Sequence, residues 1–255
     1  MTARVRRWLA PVLLLVLVAI FWELWVRVRD TPAWLLPPPS DILKTLWKDR
    51  DLLWHNARVT AEEIGLGFAL ALIAGVLLAI VIDASVIAER AIYPIVIASQ
   101  TIPIFALAPL VLIWFGYGLM PKVLITALIG FFPIVVTMVD GLRGTDRELL
   151  DLLRALGAGR WTRFRLAKWP SSLPSLFSGA RVAITVCVIG AVFGELIASS
   201  AGLGYLMRRA SAQQLTARVF ASIVVLSLLG VALFALVSAL ERIALPWRRY
   251  VAAEE

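Results

Sequence analysis

Residues 144–170 read GTDRELLDLLRALGAGRWTRFRLAKWP, and this charged stretch separates two long apolar runs of the chain. Each Asp, Lys or Arg at the centre of a transmembrane helix costs about 2.5–3.5 kcal/mol on insertion scales. The stretch therefore cannot cross the bilayer and must face water. A loop so long and so charged, between two membrane spans, indicates contact with a soluble partner. The alternative is a solvated basic loop that only sets the topology of the chain.

Apolar blocks on both sides of this loop predict a polytopic membrane protein. Hydrophobic residues make up 61% of the 255 residues, whereas soluble domains contain about 45–50%. The excess falls in blocks of about 20 residues, the length at which a helix crosses the hydrocarbon core. We expect an all-α fold in which residues 1–255 form a single membrane domain. The predicted spans are 8–28, 64–82, 91–115, 123–139, 176–198 and 219–240, with residues 140–175 as the charged loop.

The first half of the loop has the pattern of a short amphipathic helix. Thr145 and Glu148 have the Thr-x-x-Glu spacing of a capping box, which begins a helix. Asp151 and Arg154 lie on its polar side. Leucines at i, i+3, i+4 and i+7 then form one apolar stripe. These leucines are Leu149, Leu152, Leu153 and Leu156.

Glycine and proline divide the rest of the loop. Gly157 and Gly159 can end the first helix in the left-handed conformation. A second, strongly basic helix is predicted over residues 160–168, with Pro170 and Pro174 ending it before the fifth span. A helix of about nine residues is marginal by itself. The first helix must therefore dock, either on the ends of the spans or on a partner.

The third predicted span contains Pro94, Pro103 and Pro109, each of which removes a backbone donor and kinks a helix. Such a bend is tolerated where neighbouring helices or a water-lined cavity satisfy the freed carbonyls. Polar residues beside the bend, and a glutamate deep in the fifth span, either line a translocation path or serve helix packing. The candidates are Ser99, Gln100, Thr101, Pro103 and Glu195.

The charge distribution favours an orientation with both termini in the cytoplasm. Lys and Arg are more frequent in the segments that this orientation places inside, although the bias is not strong. Tryptophans then mark the two membrane interfaces, and the net charge of +8 suits anionic headgroups. No nucleic-acid-binding motif accompanies the positive charge. The interfacial tryptophans are Trp8 and Trp247 inside and Trp22, Trp25 and Trp114 outside.

Motifs for catalysis and for metal binding are missing from the sequence. There is no G-x-x-x-x-G-K-[ST], H-E-x-x-H or G-x-S-x-G, so we assign no catalytic residue and no ATP site. His55 is the only histidine and Cys187 the only cysteine. A histidine or cysteine cluster for a metal is therefore not expected.

The charged loop resembles the EAA loop of the membrane subunits of ATP-binding-cassette (ABC) importers. That motif runs Glu-Ala-Ala, three residues, Gly, nine residues, Ile-x-Leu-Pro. Gly157 and Pro170 match its glycine and proline in spacing. Asp151 stands at the position of the glutamate, and Leu152 and Leu153 stand at those of the alanine pair.

Further blocks are similar to one subgroup of these subunits, which serves nitrate, sulfonates, taurine, thiamine-precursor pyrimidines and riboflavin-like compounds. LPPPSD at 36–41 resembles its entry motif, and IPIFALAPLVLIWFGYG at 102–118 resembles its third-span signature. GAVFGELIA at 190–198 and AGLGY at 201–205 are similar to its fifth-span and following-loop signatures. The likeness covers residues 36–247.

This resemblance implies a six-helix permease with a type I ABC importer core in the inner membrane of a prokaryote. It implies pairing with a second permease copy, a cytosolic ATPase dimer that binds ATP and Mg, and an extracytoplasmic substrate-binding protein. The short helix of the loop would be a coupling helix that docks in a groove of the ATPase. The residues implied in coupling are Glu148, Leu149, Asp151, Leu152, Leu153, Arg154, Leu156, Gly157 and Arg160.

Two other classes of protein can be weighed against this reading. An ion-coupled secondary carrier would show inverted repeats with paired broken helices, and the sequence shows no obvious repeat. A membrane scaffold would need neither three prolines in one span nor a glutamate deep in another. An importer subunit therefore fits the residues best, and its solute is not named by the sequence.

Overall fold

The computed structural model describes residues 3–246, with the side chains of residues 13–246 apart from Phe105 and Ala198. These residues fold into helices joined by short connections, without a β-strand in the described range. This confirms the all-α prediction. The helices are α1 (Ala3–Val28), α2 (Pro39–Lys48), α3 (Arg50–Ala84), α4 (Val86–Ser99), α5 (Ile104–Phe115), α6 (Leu119–Arg143), α7 (Arg147–Ala155), α8 (Arg160–Arg163), α9 (Trp169–Ala198), α10 (Leu203–Ala212) and α11 (Thr216–Ala244).

Four helices in the described part of the chain are long and apolar enough to cross a membrane. They are Arg50–Ala84, Leu119–Arg143, Arg160–Ile197 and Thr216–Ala244. These helices correspond to the predicted spans 64–82, 123–139, 176–198 and 219–240. The first predicted span falls within α1, and the third is divided between α4 and α5. The count of six spans therefore stays a prediction.

The third predicted span is two helices rather than one bent helix. α4 ends at Ser99, and α5 begins at Ile104 with Pro103 as its N-cap. Pro103 has no N–H to donate to the preceding turn, and it disfavours a helical conformation at the residue before it. Pro94 and Pro109 lie inside α4 and α5 without ending them. Of the three prolines, only Pro103 therefore lies at a break between helices.

The second helix of the charged loop is continuous with the fifth span. α8 passes through a π-helical turn at Phe164–Lys168 directly into α9. The prediction that Pro170 and Pro174 end a separate helix is wrong. The π turn, in which the Trp169 N–H donates to the Phe164 carbonyl, adds a residue to the helix immediately before Pro170. This wider turn gives the proline ring room, so the helix continues.

The core lies where α6 packs between α3 and α9. Close approach of α6 and α9 depends on Gly130, because a Cβ there would lie 2.5 Å from the Cys187 sulfur. Apolar side chains fill the remaining space between α3, α4 and α6. The largest buried cluster consists of Ala79, Ile82, Val96, Val135, Met138, Val139 and Leu142.

Short helices cover the two ends of this bundle. We call the end that carries α7 and α8 the loop end, and the end that carries α2 and α10 the cap end. At the loop end Lys168 is paired with Asp83 at the end of α3. At the cap end Arg218 on α11 is paired with Asp49 between α2 and α3.

The tryptophans assigned to the membrane interfaces have different surroundings. Trp22 is half-buried against Phe220, with the ring centroids 5.4 Å apart. Trp25 and Trp114 are exposed on the surface of the subunit. Trp247 and the side chain of Trp8 lie outside the described residues.

Candidate functional site

The coupling helix predicted from the loop is α7. It begins after Asp146, whose carboxylate accepts a hydrogen bond from the Glu148 N–H at 2.8 Å. Thr145 is buried and instead donates its hydroxyl to the Leu142 carbonyl at 3.0 Å. The predicted Thr145–Glu148 capping box is therefore wrong by one residue. Asp146 supplies the same acceptor and adds a negative charge at the helix N-terminus.

A glycine corner ends α7. Gly157 adopts φ +80°, in the left-handed region that favours glycine. Its N–H donates to the Arg154 carbonyl at 2.9 Å, and the Ala158 N–H donates to the Leu153 carbonyl at 2.9 Å. This pair of bonds defines a Schellman motif, which satisfies the free carbonyls of the last turn. Gly159, with φ −68°, is the N-cap of α8.

The outward face of α7 carries most of the predicted leucine stripe. Leu149, Leu152 and Leu156 are 39%, 58% and 74% exposed, and Leu153 is half-buried. All nine residues of α7 are described, and none of them is buried. The helix is therefore fixed at its two ends while its apolar face remains free. Exposed leucines on a rigid polar helix are typical of a docking surface.

The inward face of α7 borders two cavities. One, of about 560 Å³, lies between α7, α8 and the end of α3. The other, of about 620 Å³, lies between α7 and the end of α6. Leu150 and Arg154 line both of them, and so do Asp83 and Lys168. The Asp83–Lys168 pair, with N–O distances of 2.6 and 2.8 Å, fixes the end of α3 to the π-helical turn.

The polar residues predicted for the translocation path occupy the break between α4 and α5. Ser99 and Thr101 donate their hydroxyls to the Val96 and Ala98 carbonyls at 2.8 and 2.7 Å. Gln100, Thr101 and Pro103 are exposed on the surface of the subunit. The structure thus brings four of the five predicted path residues together on one loop.

Glu195 is separate from that loop and is fully buried at the cap end. Its Oε1 accepts from the Thr60 hydroxyl at 2.6 Å, and its Oε2 accepts from the Gly204 N–H at 2.5 Å. A side chain at Gly202 would collide with this carboxylate. The assignment of Glu195 to the translocation path stays a prediction. Its hydrogen bonds give it a structural role at the start of α10.

That role is to cap the N-terminus of α10 with a side chain from another helix. The N–H groups at the start of a helix lack partners within the helix itself. Here the Gly202 N–H donates to Asn56 Oδ1 at 2.8 Å, and the Leu203 N–H donates to Thr60 Oγ1 at 2.9 Å. Glu195 takes the third N–H. We call Asn56, Thr60 and Glu195 the α10 cap.

An ion pair lies next to the α10 cap. Glu63, one turn after Thr60 on α3, is fully buried and paired with Lys122 of α6. Lys122 also donates to Ser199 Oγ at 3.1 Å. Sequence reasoning missed Glu63 and Lys122, although each lies just outside the start of a predicted span. Opposite charges at neighbouring span ends are the signal that could have paired them.

Metal ligation has no support in the described part of the chain. No group of three or more His, Cys, Asp and Glu side chains is placed to hold a metal ion there. Glu63 and Glu195 have the Lys122 ammonium, the Thr60 hydroxyl and a backbone N–H as partners instead. Glu195 is thus bound to protein groups through both oxygens and Glu63 through Oε1, whereas Glu63 Oε2 has no hydrogen-bond partner among the described residues.

The sequence of residues 68–244 matches the model of a protein family described as the inner membrane component of binding-protein-dependent transport systems. This match covers more than half of the chain and all of the loop-end geometry described above. The chain belongs to this family. It is a transport permease subunit, as the resemblance of its loop and span motifs predicted.

Curated relatives of this permease align over nearly its whole length. The formylaminopyrimidine transport permease ThiX of Halalkalibacterium halodurans is 40% identical over 94% of this chain and 96% of its own. The riboflavin transport system permease RibX of Chloroflexus aurantiacus is 37% identical over 91% of this chain and 88% of its own. The putative aliphatic sulfonates transport permease SsuC of Bacillus subtilis is 30% identical over 94% of this chain and 88% of its own. A probable ABC transporter permease of Haemophilus influenzae is 35% identical over 89% of this chain and 93% of its own. With the family match, these relatives identify the chain as an ABC transporter permease.

A solved structure supports the fold of this permease. The chain is similar to one from the crystal structure of an amino acid ABC transporter with histidines, with a TM-score of 0.60 and 18% identity. The match covers 78% of the permease and 95% of the solved chain. The expected importer core is therefore confirmed as a fold.

Proposed function

We propose that this permease forms the translocation path of an importer and is driven by a separate ATPase that binds α7. The observation that carries the proposal is the outward leucine face of α7, held by the Asp146 cap and the Gly157 corner. A free apolar face on a rigid helix can transmit a displacement of a bound partner. The continuous rod from α8 into α9 would carry that displacement into the membrane.

The proposal includes the assembly around this chain. A second copy of the permease completes the path, an extracytoplasmic binding protein delivers the solute, and the ATPase dimer binds the ATP and Mg. Both termini and α7 lie on the cytoplasmic side of a prokaryotic inner membrane. Support comes from family membership and from the excess of basic residues on that side.

For the solute, we propose a small heterocycle of the pyrimidine or riboflavin class. The support is the higher identity to ThiX and RibX, 40% and 37%, than to the sulfonate permease, 30%. Sulfonates, taurine and nitrate are the alternatives. Uptake of labelled thiamine-precursor pyrimidine, riboflavin and taurine by cells that express the whole transporter would distinguish them, and taurine uptake alone would contradict the proposal.

We propose different tasks for the polar residues on the membrane side. The α4–α5 break, with half-buried Ser99 and exposed Gln100, Thr101 and Pro103, borders the path, because non-helical backbone at membrane depth is tolerated where it lines a water-filled cavity. Glu195 acts as a positioning residue for α10. Replacement of Gln100 by Leu is then expected to slow transport without lowering thermal stability.

The central test is ATP hydrolysis by the reconstituted complex. Hydrolysis should rise when the solute-loaded binding protein is added, and Leu152→Asp should abolish that rise by placing a charge in the apolar contact. Arg165→Gln, an exposed change in the neighbouring π-helical turn, serves as the control and should retain the stimulation. Solute uptake that persists without any ATPase would contradict the proposal.

A further inference from the structure

The cavity of about 560 Å³ behind α7 is lined by both cationic and apolar side chains, and the exposed leucines of α7 do not account for this lining. Its walls include apolar side chains from α3, α7 and the α8 region. Four cations border it, whereas Asp83 is its only acid among the described lining residues. The cations are Arg154, Arg160, Arg163 and Lys168, and the apolar walls are Ile80, Ala84, Leu150, Trp161 and Phe164.

Two of the four cations are already paired within the subunit. Lys168 holds both carboxylate oxygens of Asp83. Arg154 is paired with Asp151 at 2.5 Å on the surface of α7. Asp83 is therefore bound to Lys168 through both of its oxygens, and neither Arg160 nor Arg163 is paired with it.

Arg160 and Arg163 lack such partners within the described residues. Neither side chain forms a hydrogen bond or an ion pair there, and the Nε of Arg163 is buried without an acceptor. A buried donor without an acceptor is destabilising, and native structures rarely leave one. Both guanidinium groups line the same cavity and can donate hydrogen bonds to an anion there. We call this pair the arginine corner. Trp161, stacked on Phe164 with centroids 5.6 Å apart, forms the apolar wall beside it.

We propose that this corner binds a carboxylate side chain of the ATPase, from an Asp or a Glu whose CH2 groups contact the apolar wall of the cavity. The inference rests on the proposed function, because it assumes that the ATPase docks on α7. A protein side chain suits the cavity because a carboxylate can accept from the guanidinium groups while its CH2 groups contact the apolar lining residues. Trp161, which lines the cavity, is 72% exposed, so a partner bound at the loop end can reach this wall of the cavity.

The test is the affinity of the cognate ATPase for the permease at several salt concentrations. The permease is held in phosphatidylcholine nanodiscs, and the ATPase is the one that co-purifies with it. Arg160→Gln with Arg163→Gln should raise the Kd about tenfold at low salt and flatten its salt dependence, because charge-assisted bonds are lost. The matched control is Arg165→Gln, which removes one charge from the same segment outside the cavity and should leave the salt dependence unchanged. Labelling of the buried Cys187 thiol checks folding, and Arg160→Gln alone replaces the double variant if that variant is unfolded.

The outcomes separate this inference from the proposed function. If Leu152→Asp abolishes binding while the arginine variants keep the wild-type Kd and salt dependence, the carboxylate inference fails and the docking of α7 stands. If Leu152→Asp also binds normally, the proposed function itself fails. If the arginine effect occurs only in nanodiscs that contain phosphatidylglycerol, the corner holds a lipid phosphate, and the inference is overturned.

Discussion

Thr60 and Glu195 are 135 residues apart in the chain, yet the Thr60 hydroxyl lies 2.6 Å from the Glu195 carboxylate in the buried cap end. The two side chains come from α3 and α9, and both also accept an N–H from the first turn of α10. One hydrogen-bonded pair thus fixes two membrane helices and one short helix relative to each other. The position of α10 depends on residues that lie far from it in sequence.

Glu195→Ala should destabilise the permease by about 2–4 kcal/mol, because the Gly204 N–H and the Thr60 hydroxyl lose a buried acceptor. Glu195→Gln should cost less, since its amide oxygen can still accept one of these bonds. The measurement is labelling of Cys187 by a thiol-reactive dye during heating. Cys187 is the only cysteine and is fully buried, so labelling reports unfolding. Equal melting temperatures for Glu195→Ala and wild type would refute the α10 cap.

Gly202→Ala should be destabilising by at least about 2 kcal/mol, because φ is +112° and a Cβ would meet the Glu195 carboxylate. The matched control is Gly65→Ala on α3, where the added methyl group would have no atom within 4 Å apart from its chain neighbours and the helix's own backbone. That change should be neutral or stabilising by up to about 1 kcal/mol, since alanine favours helix. Thermal Cys187 labelling measures both. If Gly202→Ala is as stable as the wild type, α10 does not pack against Glu195.

Lys122→Met should cost about 3–5 kcal/mol, because the carboxylate of Glu63 would remain buried without its counter-ion. Adding Glu63→Gln should recover most of this loss, since the uncompensated charge is then removed. The exposed pair of Lys44 and Asp41 provides the comparison, and Lys44→Met should change stability by less than about 1 kcal/mol. Additive losses in the Lys122 and Glu63 double variant would show that the two groups do not interact.

Gly157→Ala should weaken coupling, because the left-handed φ of +80° strains an alanine by about 1–2 kcal/mol. Gly159→Ala is the matched control, with φ −68° and no atom within 4 Å of an added Cβ. Stimulation of ATP hydrolysis by the loaded binding protein should fall several-fold in Gly157→Ala and stay near wild type in Gly159→Ala. Equal activity of the two variants would contradict a rigid corner at residue 157.

Local patterns predicted much of the loop end. The leucine spacing and Gly157 correctly indicated a helix and its corner, because both depend on side chains and backbone angles within a few residues. The same reasoning placed the N-cap on Thr145, since the Thr-x-x-Glu pattern does not show that Thr145 is buried. It also ended a helix at Pro170, because it could not foresee the π-helical turn that accommodates the ring.

Four of the predicted membrane spans agree with described helices that are long and apolar enough to cross a membrane, and their apolar length alone predicted them. The break at Pro103 was not predictable, since three prolines in one span look alike in sequence, and Pro94 and Pro109 are accommodated within helices. Whether a proline ends a helix depends on the turns that pack around it.

The sequence by itself determined that the chain crosses a membrane, that its charged loop faces water, and which family it joins, because composition and motifs act over short stretches. Only the tertiary structure decided which buried charges meet. Glu63, Lys122 and Glu195 come from three helices, and their partners are set by how α3, α6 and α9 pack. The same packing left Arg160 and Arg163 without acceptors in the described subunit. Such pairing depends on distances between helices. The charges at the span ends indicate which residues could pair, and only the packing shows which of them do.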